Sequence, residues 1–242
     1  MPRTIFVWSC IAVFTLVLGV MSFLTFPFDR RGKAVHLYAR LWGWLILLAN
    51  GVKVRVRGLG NIESKRPYIY MCNHLGSFDI FALLAYLPVQ FRWLAKVELF
   101  RIPILGWAMS TAGYISLDRS ERKRAYRSIE IAAQKIREGT SVIIFPEGSR
   151  SLDGTLQPFM KGGFTLAIKA GVPIVPTTID GTWEIMPRDS LRIRKGEIGI
   201  VIDRPIETTG LAMKNREKLM KDVEERIRAN FPVMVREHRD VA

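Results

Sequence analysis

At 242 residues the chain is long enough for one domain with a sizeable core plus a short appendage. Hydrophobic residues make up 49% of it and mean hydropathy is +0.14, high for a soluble protein and expected where one segment is strongly apolar. A formal charge of +14 restricts partner surfaces to anionic ones, nucleic acid or anionic lipid, while Cys10 and Cys72 alone exclude a disulfide framework and favour a reducing compartment.

From Ile5 to Phe26 no residue is charged. A helix needs about 20 apolar residues to cross a bilayer core, and this run suffices. It exceeds the apolar core of a signal peptide, about 7–15 residues, and Pro27-Phe28-Asp29 offers no small-residue cleavage site. Asp29-Arg30-Arg31-Gly32-Lys33 follows, whereas only Arg3 precedes the run, so the remainder is expected on the cytoplasmic side of the cell (inner) membrane.

Val35 to Asn50 is a second apolar stretch, interrupted by His36 and Arg40 and carrying Trp42 and Trp44. It is too short to span comfortably and is read as a helix in the headgroup boundary, with His36 an interfacial residue and Asn50-Gly51 the stop. Residues 1–50 are thus predicted to be a membrane-anchoring helical hairpin, and residues 51–242 a single globular domain.

Alternating strand and helix signals follow. Val52–Arg57 has period two, a half-exposed strand; Tyr68–Cys72 is a short buried strand ending at Asn73-His74. Phe78–Tyr86 reads as a helix, Phe91–Ala95 and Tyr114–Leu117 as strands, and Arg122–Glu138 as a basic amphipathic helix closed by Gly139. Ser141–Phe145 is a buried strand running into Pro146-Glu147-Gly148-Ser149-Arg150. Phe164–Ala170 is helical, Val172–Ile179 and Glu197–Ile202 are strands, and Ala212–Asn230 is a charged terminal helix. The alternation predicts an α/β fold, a mixed β-sheet flanked by helices.

Three polar clusters sit where strands stop: Asn73-His74 with Asp79, Asp118-Arg119, and Glu147 to Arg150. Ligands of open α/β sheets gather at the carboxyl ends of strands, so this placement marks a site. His74 is one of three histidines, and an imidazole can take a proton from an alcohol as that alcohol attacks an acyl carbon. It does so best when a carboxylate holds its other ring nitrogen, and a turn after the strand would fold Asp79 back onto it. A lone His-x4-Asp pair is as readily structural; at a strand end, after Asn73 and in an anchored chain, it is read as catalytic.

No Gly-x-Ser-x-Gly elbow surrounds Ser149, and no cysteine has a base nearby in sequence. The histidine therefore activates the substrate hydroxyl directly, without an acyl-enzyme, and no metal or cofactor is expected. Arg119 and Arg150 suit bidentate phosphate binding, and Lys161 offers a cation at a helix start, where free amides also favour an anion. Glu147, between Pro146 and Gly148, could accept from a glycerol hydroxyl or hold an arginine. Arg122, Lys123, Arg124 and Arg127 form either a solvated helix face or a surface for anionic headgroups or an acidic acyl carrier.

Asn73-His74-Leu75-Gly76-Ser77-Phe78-Asp79, Ile115 to Arg119, Phe145 to Arg150 and Ile174-Val175-Pro176 together resemble the four ordered blocks of the glycerolipid acyltransferases. The nearest subgroup is the bacterial-type 1-acyl-sn-glycerol-3-phosphate acyltransferases, and the likeness covers roughly residues 50 to 205. It implies His74 as base and Asp79 as its orienting partner. It also implies that Arg119, Glu147, Gly148, Ser149 and Arg150 bind the acceptor's phosphate and glycerol, and that Pro176 lines a pocket wall. Position 149 is serine where threonine is common, which keeps the hydroxyl.

The expected reaction moves a fatty acyl group from acyl-CoA or acyl-acyl-carrier-protein to the sn-2 hydroxyl of lysophosphatidate, giving phosphatidate. The expected partners are these two substrates, membrane lipids and an acyl carrier protein. One rival is acylation of another lysolipid, such as a lyso-ornithine lipid or lysophosphatidylglycerol. A rival of another class, prompted by the +14 charge, is a membrane-tethered nucleic-acid-binding protein, which no recognised nucleic-acid motif supports.

Overall fold

A computed structural model describes residues 1–29 and 31–231; Arg30 of the basic cluster and residues 232–242 of the expected globular domain lie outside it. The chain starts with helix α1 (Pro2–Thr25), a 3₁₀ turn at Phe26–Phe28, and helix α2 (Lys33–Asn50). The Asp29 carboxylate accepts the backbone N–H groups of Lys33, Ala34 and Val35 at 3.0, 2.7 and 3.0 Å, capping α2 where its dipole is positive. Gly51, in the left-handed region, closes α2.

Among the described residues only α1 is long and apolar enough to cross a membrane, and it turns Phe6, Val13, Val17 and Val20 outward. Both of its ends dock on the rest of the protein. Near the start, Thr4 Oγ1 accepts from Ile193 N at 3.2 Å, and the Trp8 indole donates to the Leu191 carbonyl at 2.9 Å. Near the end, Phe23 and Phe26 pack on Trp107 with ring centroids 5.1 and 5.9 Å apart.

His36 departs from expectation: it is fully buried rather than interfacial, edge-on to Phe91 with Nδ1 3.3 Å from the Tyr114 hydroxyl. The reason is the direction in which α2 packs. Gly43 lets it come so near helix α3 (Phe78–Tyr86) that an added Cβ would stand 2.7 Å from the Phe81 carbonyl oxygen. The face carrying His36, Ile46 and Leu47 is thereby turned inward.

Seven strands form one mixed sheet: β1 (Lys53–Arg57), β2 (Ile69–Cys72), β3 (Phe91–Lys96), β4 (Ile115–Leu117), β5 (Ser141–Ile144), β6 (Ile174–Asp180) and β7 (Glu197–Ile202). Their order is β1-β7-β6-β2-β5-β3-β4, with every neighbouring pair parallel except β6 and β7. Central strands of such a sheet are covered on both faces, which is why β2, β5 and β6 are buried along their whole length and read as continuous apolar runs.

Helices α3 (Phe78–Tyr86), α5 (Arg122–Arg137), α6 (Lys161–Ala170) and α8 (Arg216–Asn230) cover the faces. Alternation along β2 sends Tyr70 and Cys72 to one core and Ile69 and Met71 to the other. The first core also contains Val7, Val35, Ile46 and Leu47, so α1 and α2 share their interior with the sheet. The terminal helix starts at Arg216, after a 3₁₀ turn over Met213–Asn215, and not at Ala212. Two short helices, α4 (Leu105–Thr111) and α7 (Thr182–Ile185), have no counterpart in the sequence-based expectation because neither is long enough to show a period.

Candidate active site

In the sheet β2 lies between β5 and β6, so the segments that follow these three parallel strands converge at one edge. β2 delivers Asn73-His74, β5 delivers Phe145 to Arg150, and β6 delivers Asp180-Gly181-Thr182. The buried Asn73 amide donates to the Ile179 carbonyl and accepts from the Ile179 N–H, both at 2.8 Å, which prolongs the β2–β6 pairing through a side chain.

The backbone then turns and α3 begins, bringing Asp79 back. Its Oδ2 lies 2.7 Å from His74 Nδ1 and accepts the N–H groups of Leu75 and Gly76 at 2.8 and 3.0 Å. Asp79 is fully buried, and His74 keeps a small exposed fraction. The imidazole stacks on Phe145, with centroids 3.8 Å apart and planes at 10°, and Phe145 stacks in turn on Trp93. With Nδ1 engaged and Phe145 against one face of the ring, the remaining nitrogen, Nε2, has no hydrogen-bond partner among the described residues.

A cavity of about 600 Å³ meets that ring. His74, Ser77, Arg119, Gly148, Ser149 and Arg150 line its polar part; Leu18, Ile80, Phe81, Leu84, Leu105 and Met109 are among its apolar walls. Where α1 meets the turn before α4, Gly19 leaves room for Ile104. Arg119 follows Asp118, whose carboxylate accepts from both the N–H and the hydroxyl of Ser120 at 2.9 and 2.6 Å, and these bonds hold the Asp118 carboxyl below its usual pKa.

Gly148 has φ +77°, and a Cβ there would stand 2.8 Å from Arg119 Nη1, so glycine lets this guanidinium approach. Arg150 Nη1 donates to Ser77 Oγ at 2.5 Å. Among the described residues neither arginine forms an ion pair.

Two residues expected at the acceptor lie elsewhere. Lys161 does begin α6, but it is exposed and outside the cavity, donating to Glu217 at 2.6 Å because α8 packs alongside. Glu147 is buried, and its carboxylate accepts the backbone N–H groups of His74 and Gln157 at 2.9 and 3.2 Å instead of facing the cavity. Burial, with a smaller repulsion from Asp79, raises the Glu147 carboxyl to about 7 against those donors.

Cys72, the last residue of β2, is fully buried, and burial pushes its thiol well above the ordinary range. Among the described residues no group of three or more His, Cys, Asp or Glu could hold a metal.

Three contributors were not singled out from sequence. Lys96 lines the cavity and is the last residue of β3, so the strand-end rule that marks Arg119 marks it too. Arg188 lines the cavity from an irregular segment, and Thr182 reaches Asp79 from α7; neither has a sequence signal.

Comparison with known proteins bears on the family and the fold. The profile of the acyltransferase family matches residues 53–180. A chloroplastic 1-acyl-sn-glycerol-3-phosphate acyltransferase of Brassica napus is 39% identical over 201 residues, covering 80% of this chain and 58% of that protein. The enzyme so named from Pseudomonas aeruginosa is 30% identical over 213 residues, covering 86% of this chain and 82% of that one. The crystal structure of the 1-acyl-sn-glycerophosphate (LPA) acyltransferase PlsC from Thermotoga maritima superposes with a TM-score of 0.80 at 27% identity, covering 93% and 92% of the two chains. The chain thus spans little more than half the length of the Brassica protein.

Proposed function

The chain belongs to the acyltransferase family, and on that footing we propose that it is a 1-acylglycerol-3-phosphate O-acyltransferase. It transfers a fatty acyl group from a thioester, acyl-CoA or acyl-acyl-carrier-protein, to the sn-2 hydroxyl of lysophosphatidate. One observation carries the reading: the Asp79–His74 pair, joined at 2.7 Å, turns its free ring nitrogen toward a cavity with arginines at one part and apolar walls at the other.

His74 Nε2 takes the hydroxyl proton as the oxygen attacks the thioester carbonyl carbon. The tetrahedral intermediate collapses, the carbon–sulfur bond breaks, and the imidazolium returns the proton to the leaving thiolate. Asp79 holds the Nδ1–H tautomer and stabilises the imidazolium. Arg119, Arg150 and Lys96 hold the acceptor's phosphate by charge-assisted hydrogen bonds, and Gly148 and Ser149 border its glycerol. Because the thioester arrives activated, no cofactor enters the scheme.

Residues 1–50 form the membrane anchor and residues from 51 onward the catalytic domain, facing the cytoplasm. The docking of both ends of α1 supports an anchor immersed in one leaflet, since a helix held at Thr4, Trp8 and Phe26 cannot send its start across the bilayer. A lysophosphatidate chain in that leaflet then reaches walls made partly by α1.

The test is purified full-length protein with a panel of lysolipids and both donors, products identified by mass. Phosphatidate from lysophosphatidate is expected, in preference to acylation of lysophosphatidylglycerol or a lyso-ornithine lipid. Preference for either of those would overturn the acceptor assignment.

A further inference from the structure

The His74–Asp79 pair accounts for one oxygen of the Asp79 carboxylate. Oδ2 accepts from three N–H groups, those of the His74 ring, Leu75 and Gly76. Among the described residues Oδ1 has a single partner, the hydroxyl of Thr182, which donates at 2.5 Å. Asp79 and Thr182 are both fully excluded from solvent, so no water can replace that donor, and a buried carboxylate oxygen left bare is costly.

Thr182 is held in place by a tightly packed corner of the fold. It is the first residue of α7, directly after Gly181, whose φ is +85° and where a Cβ would strike the Glu197 carbonyl oxygen at 2.1 Å. Only glycine lets the β6–α7 corner pass so close to β7. The same corner presses on the turn that carries the base. A Cβ on Gly76 would stand 2.6 Å from the Thr182 carbonyl oxygen, and Asn73 is clamped to Ile179 three residues upstream. In this setting the threonine hydroxyl is directed at Asp79 Oδ1.

We propose that Thr182 is a positioning residue: its hydroxyl fixes the plane of the Asp79 carboxylate so that Oδ2 stays on the His74 ring nitrogen. The assignment rests on His74 being the base of the proposed acyl transfer. Without the hydroxyl, Oδ1 keeps an uncompensated charge inside the protein and the carboxylate is free to rotate. Imidazolium is then favoured over the neutral base, and the ring loses its register with the attacking hydroxyl. The substrate itself touches neither group.

The experiment compares full-length wild type, Thr182→Val and Thr182→Ser. Valine keeps shape and branching and removes only the donor. Its kcat should fall about ten- to a hundredfold, as for loss of a hydrogen bond to a charged group. The KM for lysophosphatidate should change less than about twofold, and the acid limb of kcat/KM should move up by about half a pH unit or more. Serine should restore kcat and the limb. In an Asp79→Asn background, Thr182→Val should have almost no further effect, because the two act as one unit.

Wild-type kcat and pH profile in the valine variant would overturn the assignment. So would a loss with an unmoved limb, a serine variant as impaired as valine, or additive losses in the double variant. If valine does not fold, the serine variant and Thr182→Cys, a weaker donor, supply the same comparison. A readout independent of substrate is the downfield proton resonance of His74 Nδ1–H, which should persist in serine and be shifted or lost in valine. Wild type without turnover on lysophosphatidate but with that pattern would sink the acceptor assignment and leave Thr182's role standing.

Discussion

At the scale of single residues the chemistry is concentrated in few atoms, and each can be removed separately. His74→Ala should abolish transfer with the fold intact, and Asp79→Asn should lower kcat severely. The loss of about 10⁴ for the corresponding carboxylate in a serine-protease triad sets the scale. Near-normal turnover in either variant, measured beside a melting curve, would remove the direct-base mechanism. Arg119→Ala and Arg150→Ala should each lower kcat/KM for lysophosphatidate by about 10- to 150-fold, the ~1.5–3 kcal/mol of a charge-assisted hydrogen bond; unchanged constants in both would displace the phosphate from this site. Glu147 acts on pH dependence of stability. Its carboxyl is raised to about 7 from 4.5, so it binds its proton more tightly folded than unfolded. Its contribution is therefore complete below about pH 4.5 and lost as pH rises through about 7, a difference of roughly 3 kcal/mol. Urea melts between those values should show a flatter pH dependence in Glu147→Gln, and equal slopes would mean that Glu147 is not the group responsible.

At the scale of elements the α2–α3 contact is open to disruption by a single change. Gly43 sits where a Cβ would be 2.7 Å from the Phe81 carbonyl oxygen, a backbone atom that cannot swing away. Gly43→Val must push α2 off α3 and with it His36 off Phe91 and Tyr114. The expected destabilisation is about 1–3 kcal/mol, as for overpacking in a filled core, read as a lower melting temperature. Gly60→Ala, which adds a Cβ into open space, is the control. If the two variants melt together, the helices are not in the tight contact described.

At the scale of the whole molecule the N-terminal helices are both interior and exterior. Val7, Ile46 and Leu47 belong to the main core, while Val13, Val17 and Val20 face outward. Deleting residues 1–50 would therefore strip a face of the core, and loss of cooperative folding is expected with release from the membrane. The cleaner test is Val13→Lys, Val17→Lys and Val20→Lys together, which changes only the outward face. Melting should be kept and the membrane-bound fraction should fall. Activity on a long-chain acceptor in vesicles should drop much further than activity on a short-chain, water-soluble acceptor. Equal losses on both would mean that the helices serve folding and not the placing of the active site at the bilayer.

Local pattern and strand-end chemistry made much of this protein legible in sequence. Period two in β1, short apolar runs in the buried strands and the 3.6-residue period of the longer helices locate these elements within a few residues, because each reports how it is buried. The His74–Asp79 pair was legible because both partners lie within one turn, and Arg119 and Arg150 because each follows an apolar strand. Tertiary structure alone decided the strand order that sets β2 between β5 and β6. It also decided the inward turn of His36, the pairing of Lys161 with Glu217, and the approach of Thr182 to Asp79 across a separation of 103 residues. These depend on which surfaces meet once the chain has collapsed, and a hydrogen bond between distant residues leaves no period in the sequence that either partner could reveal by itself.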